Sequence, residues 1–240
     1  MVTAAGTSGA ASQLTGKRVI VTASGMPLGR KLAQALTGHG ARVMELPGAF
    51  ASREQADTVL GDAARELGGV DLIVHAAAKP QALVVRPLEA LSSADWQAAV
   101  HKSFLATLFC LQAAHAAQRE RGGAVVVVGP STALVGGAGL VPLMTLAEAQ
   151  RTLVKSAARQ WGVLGMRLNW VGVAPAQYDP ALAQAALPQT PELGPPPPAL
   201  RRVPEAQADV ADVIAWLGSE GARGVTGASI NLDGGDWMVP

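Results

Sequence analysis

The chain has 240 residues, of which 49% are apolar and 15% charged, so it suits one α/β domain and is not disordered. Its 19 basic and 18 acidic residues give a net charge of +1, which predicts no nucleic-acid partner and no membrane surface. The single cysteine, Cys110, excludes a disulfide framework and a thiolate metal cluster. No signal-peptide pattern is present, and we expect a cytoplasmic location.

Residues 1–14 are small and polar and predict a flexible arm, followed by a single domain over residues 15–240. Apolar periodicity then alternates between strand and helix patterns. The predicted strands are 17–22, 41–46, 70–75, 124–128, 166–171 and 229–232, and the predicted helices are 28–36, 52–67, 93–118, 146–163 and 205–217. This alternation predicts an α/β fold with a Rossmann-type doubly wound parallel sheet in three α/β/α layers. The proline-rich segment 174–204 predicts an irregular lid.

Four stretches of sequence resemble the classical short-chain dehydrogenase/reductase family. They are GKRVIVTASGMPLGRKLAQAL from Gly16, VDLIVHAAA from Val70, RLNWV from Arg167 and VTGASINLDGG from Val225. The resemblance covers nearly the whole chain. It implies a fold that in active members binds NAD(P) and uses a Tyr-x-x-x-Lys pair, a Ser and an Asn to move a proton to the substrate carbonyl.

The resemblance also implies which residues of this chain stand at those four positions. An ungapped alignment from Ala124 to Asn169 places Pro130 at the Ser, Leu143 at the Tyr and Ala147 at the Lys, and Trp96 registers Ser103 at the Asn. All four chemical groups are missing, so we expect no catalytic residue here. The one tyrosine, Tyr178, falls in the proline-rich segment. A phenol with a pKa near ~10 needs a fixed neighbouring cation to act near neutrality, and Tyr178 has no Lys four residues later.

The cofactor turn departs from the family pattern as well. The family's Thr-Gly-x-x-x-Gly-x-Gly reads TASGMPLG, which leaves a vestigial turn at Ser24, Gly25 and Gly29. Pro27 removes a backbone N–H that such a turn offers to phosphate. The interval between the second and the next strand is shortened, since it holds one helix where the family has helix, strand and helix. We therefore expect no cofactor and doubt NAD(P) binding, with Glu45 interpreted as a surface carboxylate rather than a ribose ligand.

The remaining candidates have structural interpretations that we favour. We interpret Ser131 and Thr132 as turn or helix-capping residues. We interpret Glu148 as a solvated or interface carboxylate. The cluster of His101, Lys102 and Ser103 is a weaker pocket candidate. The histidines show no ligand spacing, so no metal site is expected; they are His39, His75, His101 and His115.

The leading hypothesis is a non-catalytic subunit of this family. Helices 96–118 and 146–163, which form the dimer interface in the family, keep their pattern, which favours a homo-oligomer or a hetero-oligomer with an active protomer. The resemblance makes a ketone or hydroxyacyl thioester the substrate class of such a partner. One alternative is a divergent enzyme that uses the cleft for other chemistry; another is an NAD(P)-dependent oxidoreductase with an atypical site.

Overall fold

The computed structural model describes residues 12–76, 78–185 and 198–237. Within them lies one sheet of six strands, all parallel, in the order β2-β1-β3-β4-β5-β6. The strands are β1 Arg18–Thr22, β2 Arg42–Leu46, β3 Leu72–His75, β4 Gly123–Pro130, β5 Met166–Val173 and β6 Ser229–Leu232. The central strands are apolar on both faces, because helices cover both sides of the sheet.

In the described residues, seven α-helices accompany these strands. They are α1 Pro27–Gly38, α2 Arg53–Leu67, α3 Ser93–Trp96, α4 Lys102–Gln118, α5 Val141–Trp161, α6 Leu182–Ala185 and α7 Ala211–Gly218. One π-helical turn, Gln97–His101, joins α3 to α4, and another, Ala206–Val210, leads into α7. The predicted helix 93–118 is therefore one continuous helix that contains a π-helical turn.

The helices form the two outer layers of the predicted three-layer fold. On one face, α1 and α7 pack their apolar stripes, such as Leu32 and Ile214, against Val126 and its neighbours. On the other face, α2, α4 and α5 cover a second core around Ile73 and Trp170. The predicted doubly wound α/β architecture is confirmed.

Among the described residues no strand pairs with the outer side of β2, as the predicted shortening requires. The chain leaves β2, forms only α2, and returns to β3 on the far side of β1. Ser52 caps α2 by accepting a hydrogen bond from the Gln55 N–H at 3.2 Å, and Gly68 ends it at φ 76°. Helix α2 packs against α4, and β2 is an edge strand of the described sheet.

The structure corrects the start of the domain. Residues 1–11 of the predicted arm lie outside the described residues, but Leu14 is 0% exposed and belongs to the core beneath α1 and α7. Its N–H donates to the His39 carbonyl at 3.2 Å, and the Ser12 hydroxyl donates to the same oxygen at 2.8 Å. The arm prediction is therefore wrong for residues 12–14, because one large apolar side chain among small polar ones is enough to anchor them.

Two other predicted boundaries need comment. Helix α5 begins at Val141, five residues before its predicted start, because Pro142 lies in the first turn, where a helix needs no N–H. The proline-rich lid is described up to residue 185 and from 198, and includes a 3₁₀ turn at Pro175–Gln177; residues 186–197 lie outside the described residues. In the part of the chain that is described, no helix is long and apolar enough to cross a membrane.

We predict that Leu14→Ala lowers the free energy of unfolding by about 2–5 kcal/mol, the range for emptying a buried leucine site. Urea denaturation followed by circular dichroism measures it. The control is Val163→Ala, since Val163 is 90% exposed and should change stability by less than about 0.5 kcal/mol. Equal stability of the Leu14→Ala variant and the native chain would mean that residues 12–14 do not belong to the domain.

Candidate functional site

The turn between β1 and α1 lies at the carboxyl end of the sheet, where open α/β folds bind their ligands. Ala23 takes the left-handed conformation, φ 58°, which favours glycine. The N–H groups of Ser24 and Gly25 donate to the carbonyls of Leu46 and Pro47, at 3.2 and 3.1 Å. The Met26 N–H donates to Ala23 at 3.0 Å, and Pro27 has none. Positions 24–27 therefore offer no free N–H to a phosphate, so any backbone donors for one must come from the following residues in the first turn of α1.

The two glycines of the vestigial turn have packing roles. A Cβ at Gly29 would lie 2.5 Å from the Ala23 carbonyl oxygen, so any side chain would push α1 off the turn. A Cβ at Gly25 would lie 2.7 Å from the Pro47 carbonyl oxygen. Close backbone approach within the chain is sufficient reason for both glycines, without a ligand.

The four positions aligned with the family's catalytic groups are all buried. Pro130 closes β4, Ser103 lies in the first turn of α4, and Leu143 and Ala147 lie on successive turns of α5. Leu143 is 1% exposed and Ala147 0%. The Ser103 hydroxyl is buried without a hydrogen-bond partner among the described residues. None of these side chains can exchange a proton with a carbonyl substrate except Ser103.

Tyr178 returns from the irregular segment to the carboxyl end of β4. Its hydroxyl donates to the Val128 carbonyl at 2.8 Å, and its ring is 4% exposed in the same apolar cluster as Leu143 and Leu182. Burial raises the pKa of the phenol well above its usual range. The neighbouring Gln177 donates to the Pro204 carbonyl at 2.8 Å. Tyr178 thus fills part of the cleft and is held neutral there.

A buried chain of hydrogen bonds crosses the second core. The His75 ring joins the Thr22 hydroxyl, 2.7 Å from Nδ1, to the Thr107 hydroxyl, 3.0 Å from Nε2. Gln150 donates from Nε2 to Thr107 at 2.8 Å. Desolvation lowers the pKa of His75 to about 4, so the ring is neutral at pH 7. The sequence analysis missed Thr107 and Gln150, whose signal is a polar residue on an otherwise apolar helix face.

Ser131 and Thr132 lie in a turn, as expected, but their hydroxyls do not cap a helix. The Ser131 hydroxyl is buried without a partner among the described residues, and the Thr132 hydroxyl donates to Met144 Sδ at 3.4 Å. Their turn is the 3₁₀ helix Ser131–Leu134, which has no side-chain cap. Both hydroxyls point into the core because Pro130 ends β4 immediately before them.

The other candidates lie apart from one another. His101 and Lys102 are exposed, while the adjacent Ser103 faces the core, so the three do not line one pocket. Glu148 is half-buried and forms an ion pair with Arg151 on the next turn. Glu45 is exposed on the edge strand β2.

Metal and thiol chemistry have no visible centre in the described residues. No group of three or more His, Cys, Asp or Glu side chains in ranges 12–76, 78–185 and 198–237 is placed to hold a metal ion. Cys110 is buried, and burial raises the pKa of its thiol to about 12.

A cavity between the segment after β3 and the start of α5, bordered by Val84, Ala99 and Pro142, measures about 90 Å³. That volume is below the roughly 300–1,000 Å³ of ligand pockets.

The parallel sheet and the turn that leads from β1 into α1 are those of a Rossmann-type α/β protein. The sequence profile described as enoyl-(acyl carrier protein) reductase matches residues 5–236. The chain therefore belongs to the short-chain dehydrogenase/reductase family.

Individual relatives are distant. The chain is 28% identical over 233 residues to L-rhamnose 1-dehydrogenase (NAD(P)(+)) of Azotobacter vinelandii, covering 92% of this chain and 87% of that one. It is 26% identical over 200 residues to a probable 2,4-dienoyl-CoA reductase of Bacillus subtilis, covering 79% and 74%. A putative short-chain alcohol dehydrogenase of Sinorhizobium meliloti superposes with a TM-score of 0.75 at 25% identity, over 94% of this chain and 98% of that one. A Burkholderia cenocepacia short-chain dehydrogenase solved with NADP has a TM-score of 0.76 at 23% identity, over 93% and 99%.

We predict that His75 makes the fold acid-sensitive. Its pKa is lowered from 6.5 to about 4, so the folded chain binds fewer protons than the unfolded chain between these values. The free energy of unfolding therefore falls as the pH drops from 6.5 towards 4, with a slope of up to about 1.4 kcal/mol per pH unit from this group.

His75→Gln keeps a donor and an acceptor but does not titrate, so it should reduce that slope in urea denaturation series. The matched control, His101→Gln, changes an exposed histidine and should keep the native slope. A His75→Gln variant with the native pH profile would contradict the burial of a neutral ring.

Proposed function

We propose that this chain is a non-catalytic subunit of the short-chain dehydrogenase/reductase family that pairs with an active protomer of the same family. One observation carries the proposal: buried Leu143 and Ala147 stand where the family's reaction needs a phenol and an ammonium group. The remaining phenol, on Tyr178, donates to Val128 and has a raised pKa, so it is a poor proton donor to a substrate.

The turn between β1 and α1 also supports an absence of turnover. The turn after β1 has its N–H groups at positions 24–26 committed to backbone carbonyls, and Pro27 has none. This turn therefore offers a cofactor phosphate fewer backbone donors than a glycine-rich turn would.

The face proposed for pairing is a groove between α4 and α5. It encloses about 710 Å³ and its larger lining side chains are Phe104, Met144 and Leu153. Glu148, which lines the groove, forms an ion pair with Arg151 on the next turn of α5. In the family these two helices pack against the same helices of a second protomer, so we assign the groove to such a protomer.

The relatives suggest what the active protomer acts on. Several carry names of acyl thioester reductases, including the probable 2,4-dienoyl-CoA reductase and a 3-oxoacyl-[acyl-carrier-protein] reductase of Staphylococcus aureus. A ketone or hydroxyacyl thioester is therefore the proposed substrate class of the complex.

A second candidate function is an NAD(P)-dependent oxidoreductase with an atypical site. The left-handed Ala23 favours it, because the turn keeps a glycine-type conformation without a glycine. The name of the rhamnose dehydrogenase, which includes NAD(P)(+), favours it as well. The proposed non-catalytic role and this candidate differ in one measurable property, which is cofactor binding.

We predict no binding heat and no rise in Tm when the purified chain is titrated with NAD⁺, NADH, NADP⁺ or NADPH at millimolar concentration. A cofactor at 100 times its Kd stabilises a protein by about 2.7 kcal/mol, so even weak binding would be detected. Stoichiometric binding accompanied by oxidation of NADPH with a ketone or 3-oxoacyl thioester would overturn the proposal in favour of the second candidate.

We also predict that Leu153→Arg abolishes assembly with the active protomer, because it places a charge in the apolar groove. The measurement is co-expression of this chain with each family member encoded in the same genome, followed by size-exclusion chromatography and assay of the complex. Val163→Arg is the control, since Val163 is 90% exposed and does not line the groove. A complex that survives Leu153→Arg, or the absence of any complex with all of these members, would contradict the assignment.

A further inference from the structure

A second cavity of interest lies at the amino end of the sheet, on the side opposite the β1–α1 turn. It encloses about 420 Å³ where β1, β4 and β5 begin. We call it the basal cavity. Its charged lining residues are Lys17, Asp71, Arg121, Arg167, Glu220 and Arg223.

The carboxylates of the basal cavity do not balance its cations. Asp71 is already neutralised by Arg18, which donates to it from its backbone N–H and from its guanidinium at 2.8 Å. Glu220 lies 3.9 Å from Lys17. Arg121 and Arg223 have no ion-pair partner in the ranges that the structure describes. The cavity is therefore strongly cationic although the whole chain carries a net charge of only +1.

Arg167 is the anchor of this cluster. Its guanidinium donates to the carbonyls of Ala222 and Ser219, at 3.0 and 3.3 Å. A guanidinium has five N–H donors, so three are left without an acceptor in the described structure. Burial lowers the pKa of Arg167, and the Glu220 carboxylate offsets only part of that cost. The carbonyls at the end of α7 account for two of its bonds but leave the rest of the donor fork unused.

We propose that the basal cavity binds a small phosphorylated anion with two adjacent phosphate groups, of the pyrophosphate class. Arginine forks match phosphate oxygens in pairs, and three arginines here converge on one cavity. The lining has no aromatic side chain on which a base would stack, and its wall is open at Gly162, where a Cβ would meet no atom within 4 Å.

A neighbouring cavity of about 400 Å³ extends the cationic surface. It shares Thr226 with the basal cavity and adds Lys155 and Arg159 from α5. Two phosphate groups are thus better matched than one, because cations border the site on two sides. The site is independent of the proposed subunit role, since it lies at the other end of the sheet from the cleft.

The test titrates the full chain with inorganic pyrophosphate by calorimetry at 150 mM salt. We expect one binding site per chain, with orthophosphate and sulfate at least about tenfold weaker. The double variant Arg121→Gln/Arg223→Gln changes exposed side chains and should weaken binding by about 100-fold, at about tenfold for each lost charge-assisted contact. Arg42→Gln, an exposed arginine on β2 that does not line the cavity, should bind as the native chain does.

A second pair of variants separates this site from the β1–α1 turn. A Cβ at Gly162 meets no atom within 4 Å, so a side chain there is accommodated at the cavity wall. Gly162→Glu should abolish binding by adding a carboxylate, whereas Gly162→Gln, of nearly the same size, should retain it. No binding to the native chain, an equal loss in Arg42→Gln, or unchanged binding in Gly162→Glu would each overturn the proposal.

Discussion

The packing of α4 and α5 against the sheet depends on the neutral imidazole of His75, which lies between two threonine hydroxyls. The ring is fully buried, so each nitrogen must have a hydrogen-bond partner or the core loses a kilocalorie or more per unpaired atom. Thr22 on β1 and Thr107 on α4 supply these partners, and Gln150 extends the chain to α5. Two strands and two helices are thereby held in register by one polar chain inside an apolar core.

The positions of the cleft residues follow from that register. With Gln150 directed at Thr107, the preceding turns of α5 face inward, and Leu143 and Ala147 become core residues. Tyr178 packs in the same apolar cluster as Leu143, and the Val128 carbonyl is its only described hydrogen-bond partner. Two positions that hold catalytic residues in active members of the family are therefore core positions in this chain.

The sequence was a good guide to what is local or repetitive. Runs such as AVVVV predict β4, and the single helix between β2 and β3 predicts the missing strand from chain length alone. The contacts that define the site were not predictable, because His75 and Thr107 are 32 residues apart and Val128 and Tyr178 are 50 apart. Such pairs leave no periodic signal. Leu14 was missed for a related reason, since one apolar residue has no period.

The net charge of the chain and the local charge of a cavity act over different distances. A value of +1 governs the field beyond a Debye length of about 10 Å, and it argues against recruitment of a large polyanion. Within the basal cavity the same chain gathers three arginines and a lysine around one carboxylate not already neutralised by an arginine. Acidic residues elsewhere on the surface cancel this excess in the total but not at the cavity wall. A small anion that enters the cavity interacts with the local cations, whereas a long polyanion interacts with the net charge of the whole chain. The exclusion of a polyanion partner on composition is therefore compatible with an anion site in the basal cavity.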